Sequence, residues 1–276
     1  MSTASPVDEL PTLDRTVIGA GLMAGAANVI MQLARPAVGY GVAESRVESG
    51  RLYDHPIKRT RTTLTYLAVA TLGTDAERAD YRTAVNGAHA QVFSTEDSPV
   101  RYHAMDPGLQ LWVAACLYRG FEDSYEAFVG PMSEAQREHV YREAAPLGTT
   151  LQVRDSMWPA TREAFEDYWQ ANLAEVHIDD VIRDHLMSIV RLEFFPLPVQ
   201  WLFGRFNTFV TTGFLHAPFR EQMHLAWTTR DQRRFDRLMR AIGAVARNLP
   251  GPLRAFPYNA CLWDLRLRRR LKRPLI

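Results

Sequence analysis

The sequence is poor in cysteine. Its 276 residues contain two, Cys116 and Cys261, and their spacing is not that of a metal site. This scarcity excludes a disulfide framework, and a chain of this length buries enough apolar surface to fold without one. We expect both thiols to be small buried hydrophobic groups, since nothing in the sequence indicates an oxidising compartment.

The chain also lacks an excess of charge of either sign. Its 32 Lys and Arg residues balance 31 Asp and Glu residues, which gives a formal net charge of +1. This balance indicates no overall attraction to nucleic acid, so we expect no nucleic-acid partner. The opening MSTASPVDELPT lacks the charged and apolar regions of a signal peptide, and we expect a cytoplasmic protein.

Several catalytic motifs are missing. No histidine pair has the H-E-x-x-H spacing of zinc peptidases, and no G-x-S-x-G elbow of serine hydrolases is present. The repeated E-x-x-H motif of di-iron bundles is absent as well. Any chemistry must therefore come from a less common arrangement.

Residues 17–35 form a glycine-rich apolar stretch, VIGAGLMAGAANVIMQLAR. Gly19, Gly21 and Gly25 lie one residue off the dinucleotide fingerprint, but the strand and the acidic residue that it needs are missing. A membrane span needs about 20 mostly apolar residues, and Asn28 and Gln32 interrupt this one. We favour a buried helix, and its small residues would suit close helix packing.

Helical signals recur along the rest of the chain, and the period-2 alternation of strands is missing. Thr74-x-x-Glu77 and Ser133-x-x-Gln136 are capping boxes, and Asp106-Pro107 is an N-cap followed by an N1 proline. Further helices are predicted to begin at Pro56, after Thr161 and Asp179, and near 199 and 229. We predict roughly ten helices: an all-α chain with one domain over 15–276, after a flexible N-terminus over 1–14.

A helical hairpin over 56–93 would bring two polar groups together. Arg59 lies 14 residues before Gly73, and His89 lies 15 residues after Thr74. At about 1.5 Å per residue, antiparallel helices place both side chains roughly 21–23 Å from the turn, at one level. His89 could ligate a metal, although a lone histidine beside an apolar face is also typical of a satisfied core residue.

Two groups of polar and basic residues have both a functional and a structural interpretation. Arg59, Thr62 and Thr63 share one helix face and could bind a carboxylate or a phosphate, or could form a solvated face. The tail RLRRRLKR at 266–273 could contact an anionic membrane surface at its periphery, or could be a solvated helix end.

These elements together resemble the oxygenase MpaB family, which shares its core domain with latex-clearing rubber oxygenases. The similarity runs from about residue 15 to residue 272. It is carried by VIMQLARPAVGYGV at 29–42, RTRTTLTYLAVATLGT at 59–74, AVNGAHAQV at 84–92, YHAMDPGLQLWVAACL at 102–117, GPMSEAQREHVYRE at 130–143, MWPATREAFEDYW at 157–169, LHAPFREQMHLAW at 215–227 and LPGPLRAFP at 249–257.

The resemblance implies a globin-like helical core that holds haem b. It gives His89 as the axial iron ligand, and Arg59 and Thr63 as the residues that retain haem. It implies an oxygenase or related oxidoreductase that uses O2 or peroxide on an apolar small molecule. Tyr102 and His103 are weak candidates for polar groups near the distal side of the haem, and packing or structural roles are the alternative for both.

One position departs from the family pattern. Rubber oxygenases carry a distal lysine where Thr62 stands, so rubber cleavage is not predicted. Thr62 is the third weak catalytic candidate. A haem carrier or sensor without turnover, a membrane-associated helical protein without cofactor, and a non-haem metal site at His89 are the alternatives. The substrate, the redox partner and the oligomeric state are not encoded in any recognisable motif.

Overall fold

A computed structural model describes residues 19–47 and 52–276 of the chain. Over these ranges the structure is helical, apart from one isolated antiparallel bridge between Phe93 and His103. The all-α prediction is therefore confirmed. The predicted flexible segment over 1–14 lies outside the described residues.

The described ranges contain fourteen α-helices and two 3-10 helices, more than the ten predicted. The 3-10 helices are Gly19–Ala24 and Asp155–Met157. The first seven α-helices are α1 Gly25–Leu33, α2 Pro36–Ala43, α3 Pro56–Leu72, α4 Asp75–His89, α5 Pro107–Phe128, α6 Glu134–Arg142 and α7 Pro146–Thr149. The others are α8 Arg162–Leu173, α9 Asp180–Val190, α10 Leu197–Phe214, α11 Ala217–Gln222, α12 Thr229–Arg247, α13 Gly251–Arg254 and α14 Tyr258–Arg270.

Side-chain caps fix the starts of several helices. The Thr74 side chain accepts a hydrogen bond from the Glu77 amide, and the Glu77 carboxylate accepts one from the Thr74 amide. Asp106 accepts from the amides of Gly108 and Leu109. Each bond satisfies a donor that the first helical turn leaves unpaired, which is why these starts were predictable.

The core is one continuous cluster, with α5 at its centre. Most of α5 is buried, and it packs against α1, α7 and α12. Trp112 of α5 stacks on Trp169 of α8 with ring centroids 5.2 Å apart. Tyr118 meets Phe165 edge to face at 4.9 Å, an arrangement that aromatic rings favour.

The glycine-rich stretch at 17–35 is described from Gly19 onward. It forms the first 3-10 helix and then α1, whose Ile30 and Met31 are buried. Asn28, which argued against a membrane span, donates to the carbonyl of Cys116 on α5 at 2.6 Å. Over its described part, the stretch is therefore helical and packs against the core. Among the described residues, no helix is long and apolar enough to cross a bilayer.

The glycines in this stretch differ from expectation. A Cβ at Gly21 would lie 3.7 Å from Ser124, an ordinary helix contact, but a Cβ at Gly25 would meet no atom within 4 Å. Gly25 therefore has no close helix contact among the described residues. The close approach lies at Gly19, where a Cβ would fall 1.9 Å from the Phe256 carbonyl oxygen. A small-residue pattern does not tell which of its members face a neighbour.

The C-terminal helix α14 packs along α3 and reaches α4. Arg266 binds the buried carboxylate of Glu77 at 2.7 Å, and Arg269 binds Asp80 at 2.7 Å. This bond to Arg266 lowers the pKa of Glu77 to about 2. Arg268 pairs with Asp264 within α14. Three cations of the predicted basic tail are thus held by acids of the same chain.

Candidate functional site

The candidate site lies on the α3–α4 hairpin, whose helices are joined by Gly73 and Thr74 alone. Tyr66 and Tyr81 face each other across the hairpin with ring centroids 6.5 Å apart. The Tyr81 hydroxyl donates to the Thr62 carbonyl at 2.7 Å, which ties α4 to the first half of α3. The two helices therefore run antiparallel and in contact.

His89 is the last residue of α4, at the open end of the hairpin. Its ring is partly buried, and its Nδ1 atom is shielded from solvent without a hydrogen-bond partner among the described residues. Burial, and then the charge of Arg59, lower the pKa of His89 to about 4. The imidazole is therefore neutral at pH 7, which is the form that ligates metals.

Arg59 lies in the first turn of α3, close enough to His89 for its charge to act on the imidazole. Its side chain is exposed, yet burial by surrounding protein lowers the pKa of its guanidinium. None of the described carboxylates forms an ion pair with it, so the guanidinium is free to bind an anion.

Thr62 and Thr63 are held by their own helix. The Thr62 hydroxyl donates to the Lys58 carbonyl at 2.9 Å, and the Thr63 hydroxyl donates to the Arg59 carbonyl at 3.1 Å. Such i−4 bonds are common for threonine in helices. Both hydroxyl oxygens keep acceptor capacity, but neither group has a base beside it that would make it a nucleophile.

Tyr102 and His103 lie beyond α4, where His103 forms the isolated bridge with Phe93, and both are held by local contacts. Tyr102 is buried, packs beside Gly41 and donates to Glu44 at 2.7 Å. His103 stacks on Phe93 with ring centroids 6.1 Å apart, and its Nδ1 accepts from the Met105 amide. These contacts favour the packing and structural alternatives for both residues.

Gly87 lies two residues before His89 on α4. A Cβ built there would meet no atom within 4 Å, so no neighbouring helix presses on it. Residues two apart on a helix point about 200° apart, so this open surface is on the other side of α4 from the imidazole.

A metal ion bound only by protein side chains has little support among the residues that the structure describes. They contain no group of three or more His, Cys, Asp or Glu side chains arranged to hold a metal ion. A histidine that stands alone is, however, sufficient for a macrocycle that supplies the other iron ligands itself.

Some polar constellations were not predicted from the sequence. A surface cleft of about 950 Å³ lies between α4 and α14, lined by Glu77, Asp80 and Arg266, and therefore away from His89. His216 lies 2.8 Å from Asp123. Buried Glu122 binds Arg119, Arg137 and Arg162, as an ion-pair network around α5. Apart from Arg119 and Glu122, which are three residues apart, these partners are distant in sequence, so no local motif indicates them.

Comparison with known proteins bears on this site. The family model described as ER-bound oxygenase mpaB/B'/rubber oxygenase, catalytic domain, matches residues 16–244, up to the last turn of α12. The chain is 51% identical over 251 residues to uncharacterized protein Mb2261 of Mycobacterium bovis, strain ATCC BAA-935 / AF2122/97, and to uncharacterized protein Rv2237 of Mycobacterium tuberculosis, strain ATCC 25618 / H37Rv. Each alignment covers 91% of this chain and 98% of the relative. No solved structure matches the chain.

Proposed function

We propose that this chain, which belongs to the family of ER-bound oxygenase mpaB/B' and rubber oxygenase catalytic domains, is a haem-b-dependent oxygenase acting on an apolar small molecule. Family membership makes it an oxygenase domain. The haem, the residues that hold it and the apolar substrate are the proposed parts. The proposal also takes the helical core around α5 to be the globin-like scaffold of the family.

One observation carries the proposal: at the open end of the hairpin, the buried Nδ1 atom of a neutral histidine has no partner among the described residues, and the charge of Arg59 acts on the same imidazole. Arg59 is exposed and has no carboxylate among the described residues. Buried polar atoms in folded proteins are nearly always paired, so the unpaired Nδ1 atom favours an absent partner. Haem offers both an iron for an imidazole and propionates for a guanidinium.

Each residue has a definite task under this proposal. His89 would hold the iron with its neutral imidazole, and Arg59 would bind a propionate through charge-assisted hydrogen bonds. Thr63 would add a hydrogen bond once its hydroxyl turns away from the Arg59 carbonyl. Tyr81 would keep the two helices in register through its bond to the Thr62 carbonyl.

Bound haem supplies O2 or peroxide chemistry, while the protein sets the axial ligand, the polarity of the pocket and access to it. The side chains near the site favour an apolar substrate, because exposed Ile57 precedes Arg59 by two residues and exposed Phe93 follows His89 by four. Threonine at position 62 has no amine to offer on the distal side. Rubber cleavage is therefore not proposed.

The first test is the absorption spectrum of the protein expressed with a haem precursor, beside His89→Ala. We expect a Soret band in the parent that is lost or strongly shifted in the variant. His185→Ala is the matched control, because His185 is also partly buried and burial lowers its pKa too. The control should keep the parent spectrum.

Three results would change the proposal. A colourless parent that takes up no added hemin would remove the haem and leave only the helical scaffold of the family. A Soret band without turnover of O2 or peroxide, with a reductant and apolar substrates present, would favour a carrier or sensor. A Soret band that survives in His89→Ala but is lost in His185→Ala would assign the iron to His185 instead of His89.

A further inference from the structure

One end of the molecule exposes more large apolar surface than its polar surroundings explain. It consists of the connection after α9 and the first turns of α10, residues 191–206, here called the apolar tip. Its exposed side chains are Phe195, Leu197 (76% exposed), Trp201 (85%), Leu202, Phe203 and Phe206. Contiguous apolar surface of this kind marks a site of contact with something that removes it from water.

The shape of the apolar tip restricts what can cover it. At 100° per residue, Leu197 and Trp201 lie on one face of α10, Leu202 and Phe206 on the next, and Phe203 on a third. Two turns further along, on the face of Leu197, the helix is held against the end of α9, where a Cβ at Gly204 would lie 2.9 Å from the Arg191 carbonyl oxygen. A flat protein surface covers one side of a helix. A lipid interface encloses a protruding helix end from several sides at once.

The order of side chains along the helix also fits a bilayer. Leu197, Trp201 and Arg205 are spaced by four residues and form one row, with roughly 6 Å of rise between neighbours. An aliphatic group thus leads, a tryptophan follows and an exposed arginine comes last. Tryptophan favours the headgroup boundary and arginine reaches the phosphates, while interfacial helices sink about 5–10 Å below them.

The charges of the apolar tip do not oppose such docking. Its cations are Arg191 and Arg205, and its acid is Glu193, which lies 3.8 Å from Arg191. Arg205 has no ion pair among the described residues and remains available to lipid phosphates. The predicted basic tail at 266–273 has three of its arginines held by acids of the chain, so the tip is the better candidate for a membrane contact.

Aromatic contacts connect the apolar tip to the start of α3. Tyr53 meets Phe194 edge to face, with ring centroids 6.5 Å apart, and lies 5.9 Å from the ring of His185. Tyr53 precedes α3 by three residues, and Arg59 lies in the first turn of that helix. The apolar tip and the candidate site are thus joined through one short segment.

We propose that the apolar tip inserts into the interface of a lipid bilayer and so docks the protein peripherally on a membrane surface. Docking would place the start of α3 near a phase in which apolar substrates concentrate. The insertion itself does not depend on haem, since none of the tip residues takes part in the proposed haem site.

The test is co-sedimentation of the full chain with vesicles of phosphatidylcholine, alone or mixed with phosphatidylglycerol. Parent protein is compared with the double variant Leu197→Ser and Trp201→Ser. Trp263→Ser is the matched control, because Trp263 is 66% exposed on the distant helix α14. We expect the double variant to lose partitioning at least about tenfold, as burial of two large apolar side chains predicts, and the control to bind like the parent.

Several results would overturn the docking proposal: a parent that stays in solution, a double variant that pellets unchanged, or a control that loses binding. A dimer in light scattering that the double variant abolishes, without vesicle binding, would assign the tip to a second copy of the chain. Because the altered side chains are exposed, all variants should melt like the parent. A colourless parent that still binds vesicles would reject the haem while supporting the docking.

Discussion

The polar groups at the two ends of the α3–α4 hairpin differ in whether they have partners. Near the turn, Glu77 is buried and bound by Arg266, and Asp80 is bound by Arg269. At the open end, Arg59 has no carboxylate among the described residues, and Nδ1 of His89 has no partner there. One hairpin thus contains a satisfied end and an unsatisfied end.

Under the proposed function, this difference separates structural charge from charge that a bound haem would pair. The satisfied end uses acids from α4 and arginines from α14 to join distant parts of the chain. At the unsatisfied end, burial of the His89 Nδ1 atom without a partner among the described residues costs free energy that a bound ligand would offset. Substitutions at the two ends should therefore affect different measurements.

The largest effect is expected from Arg59→Ala. Loss of a charge-assisted bond to a haem propionate should weaken hemin binding by roughly 10–100-fold, equivalent to about 1.5–3 kcal/mol. The free energy of unfolding of the haem-free protein should change little, because Arg59 has no ion pair to lose. Hemin titration of the haem-free protein, with urea unfolding in parallel, checks both expectations.

Arg266→Ala is the control for this variant at the satisfied end. It should lower the free energy of unfolding and leave hemin affinity unchanged, the reverse of Arg59→Ala. Equal hemin affinity in the parent and Arg59→Ala would remove Arg59 from the proposed site. A large loss of stability in Arg59→Ala would show that the open end is structural too.

A smaller effect is expected from Glu77→Gln, which keeps the shape of the cap and removes the charge. Because the folded pKa of Glu77 is about 2, below its ordinary value of 4.5, the carboxylate stabilises the fold above pH 4.5. We expect the free energy of unfolding of the variant to be roughly 1–2 kcal/mol lower at pH 7. This value is reduced because Arg266 is half exposed and solvent screens its charge. Thermal unfolding of both proteins at pH 7 gives this difference.

The pH dependence provides the sharper measurement at Glu77. As pH falls from 4.5 towards 2, the parent protonates Glu77 and loses the contribution that the variant never had. The two melting temperatures should therefore converge in acid. A difference that persists unchanged at pH 3 would mean that the side chain acts through its shape and cap alone.

The smallest effect is expected from Gly87→Ala. No atom lies within 4 Å of the added Cβ, so the substitution should stabilise the haem-free protein by about 0.5–1 kcal/mol through helix propensity. Urea unfolding measures this gain, with Gly73→Ala as contrast, since a Cβ there would lie 2.5 Å from the Val69 carbonyl oxygen. Destabilisation by Gly87→Ala would reveal a contact that the open surface does not show.

Much of the fold could be predicted from local sequence. Capping residues such as Thr74, Asp106 and Thr161 mark helix starts because the bonds that they make span only two or three residues. The four-residue helices α7 and α13 were missed, since they are too short to show an apolar period. The close approach at Gly19 and the open space at Gly25 could not be predicted, because the space around a residue is set by distant parts of the chain.

The candidate site was accessible to sequence reasoning only in part. Counting along two helices placed Arg59 and His89 at one level, since hairpin geometry fixes the distance of each residue from the turn. Counting could not show that Nδ1 of His89 is buried or that Arg59 lacks an acid. The ion pair between Glu77 and Arg266 spans 189 residues, and no local pattern records such a pairing.

The position of α14 along the chain has a consequence for biosynthesis. Helices α3 and α4 need only a two-residue connection to meet, so the hairpin with Arg59 and His89 can form early. The face of α3 that α14 covers, including Thr65, stays exposed until residues 258–270 leave the ribosome. A nascent chain therefore presents the open end of the hairpin before its covering helix exists, and truncation before Tyr258 would leave that face permanently open to chaperones and proteases.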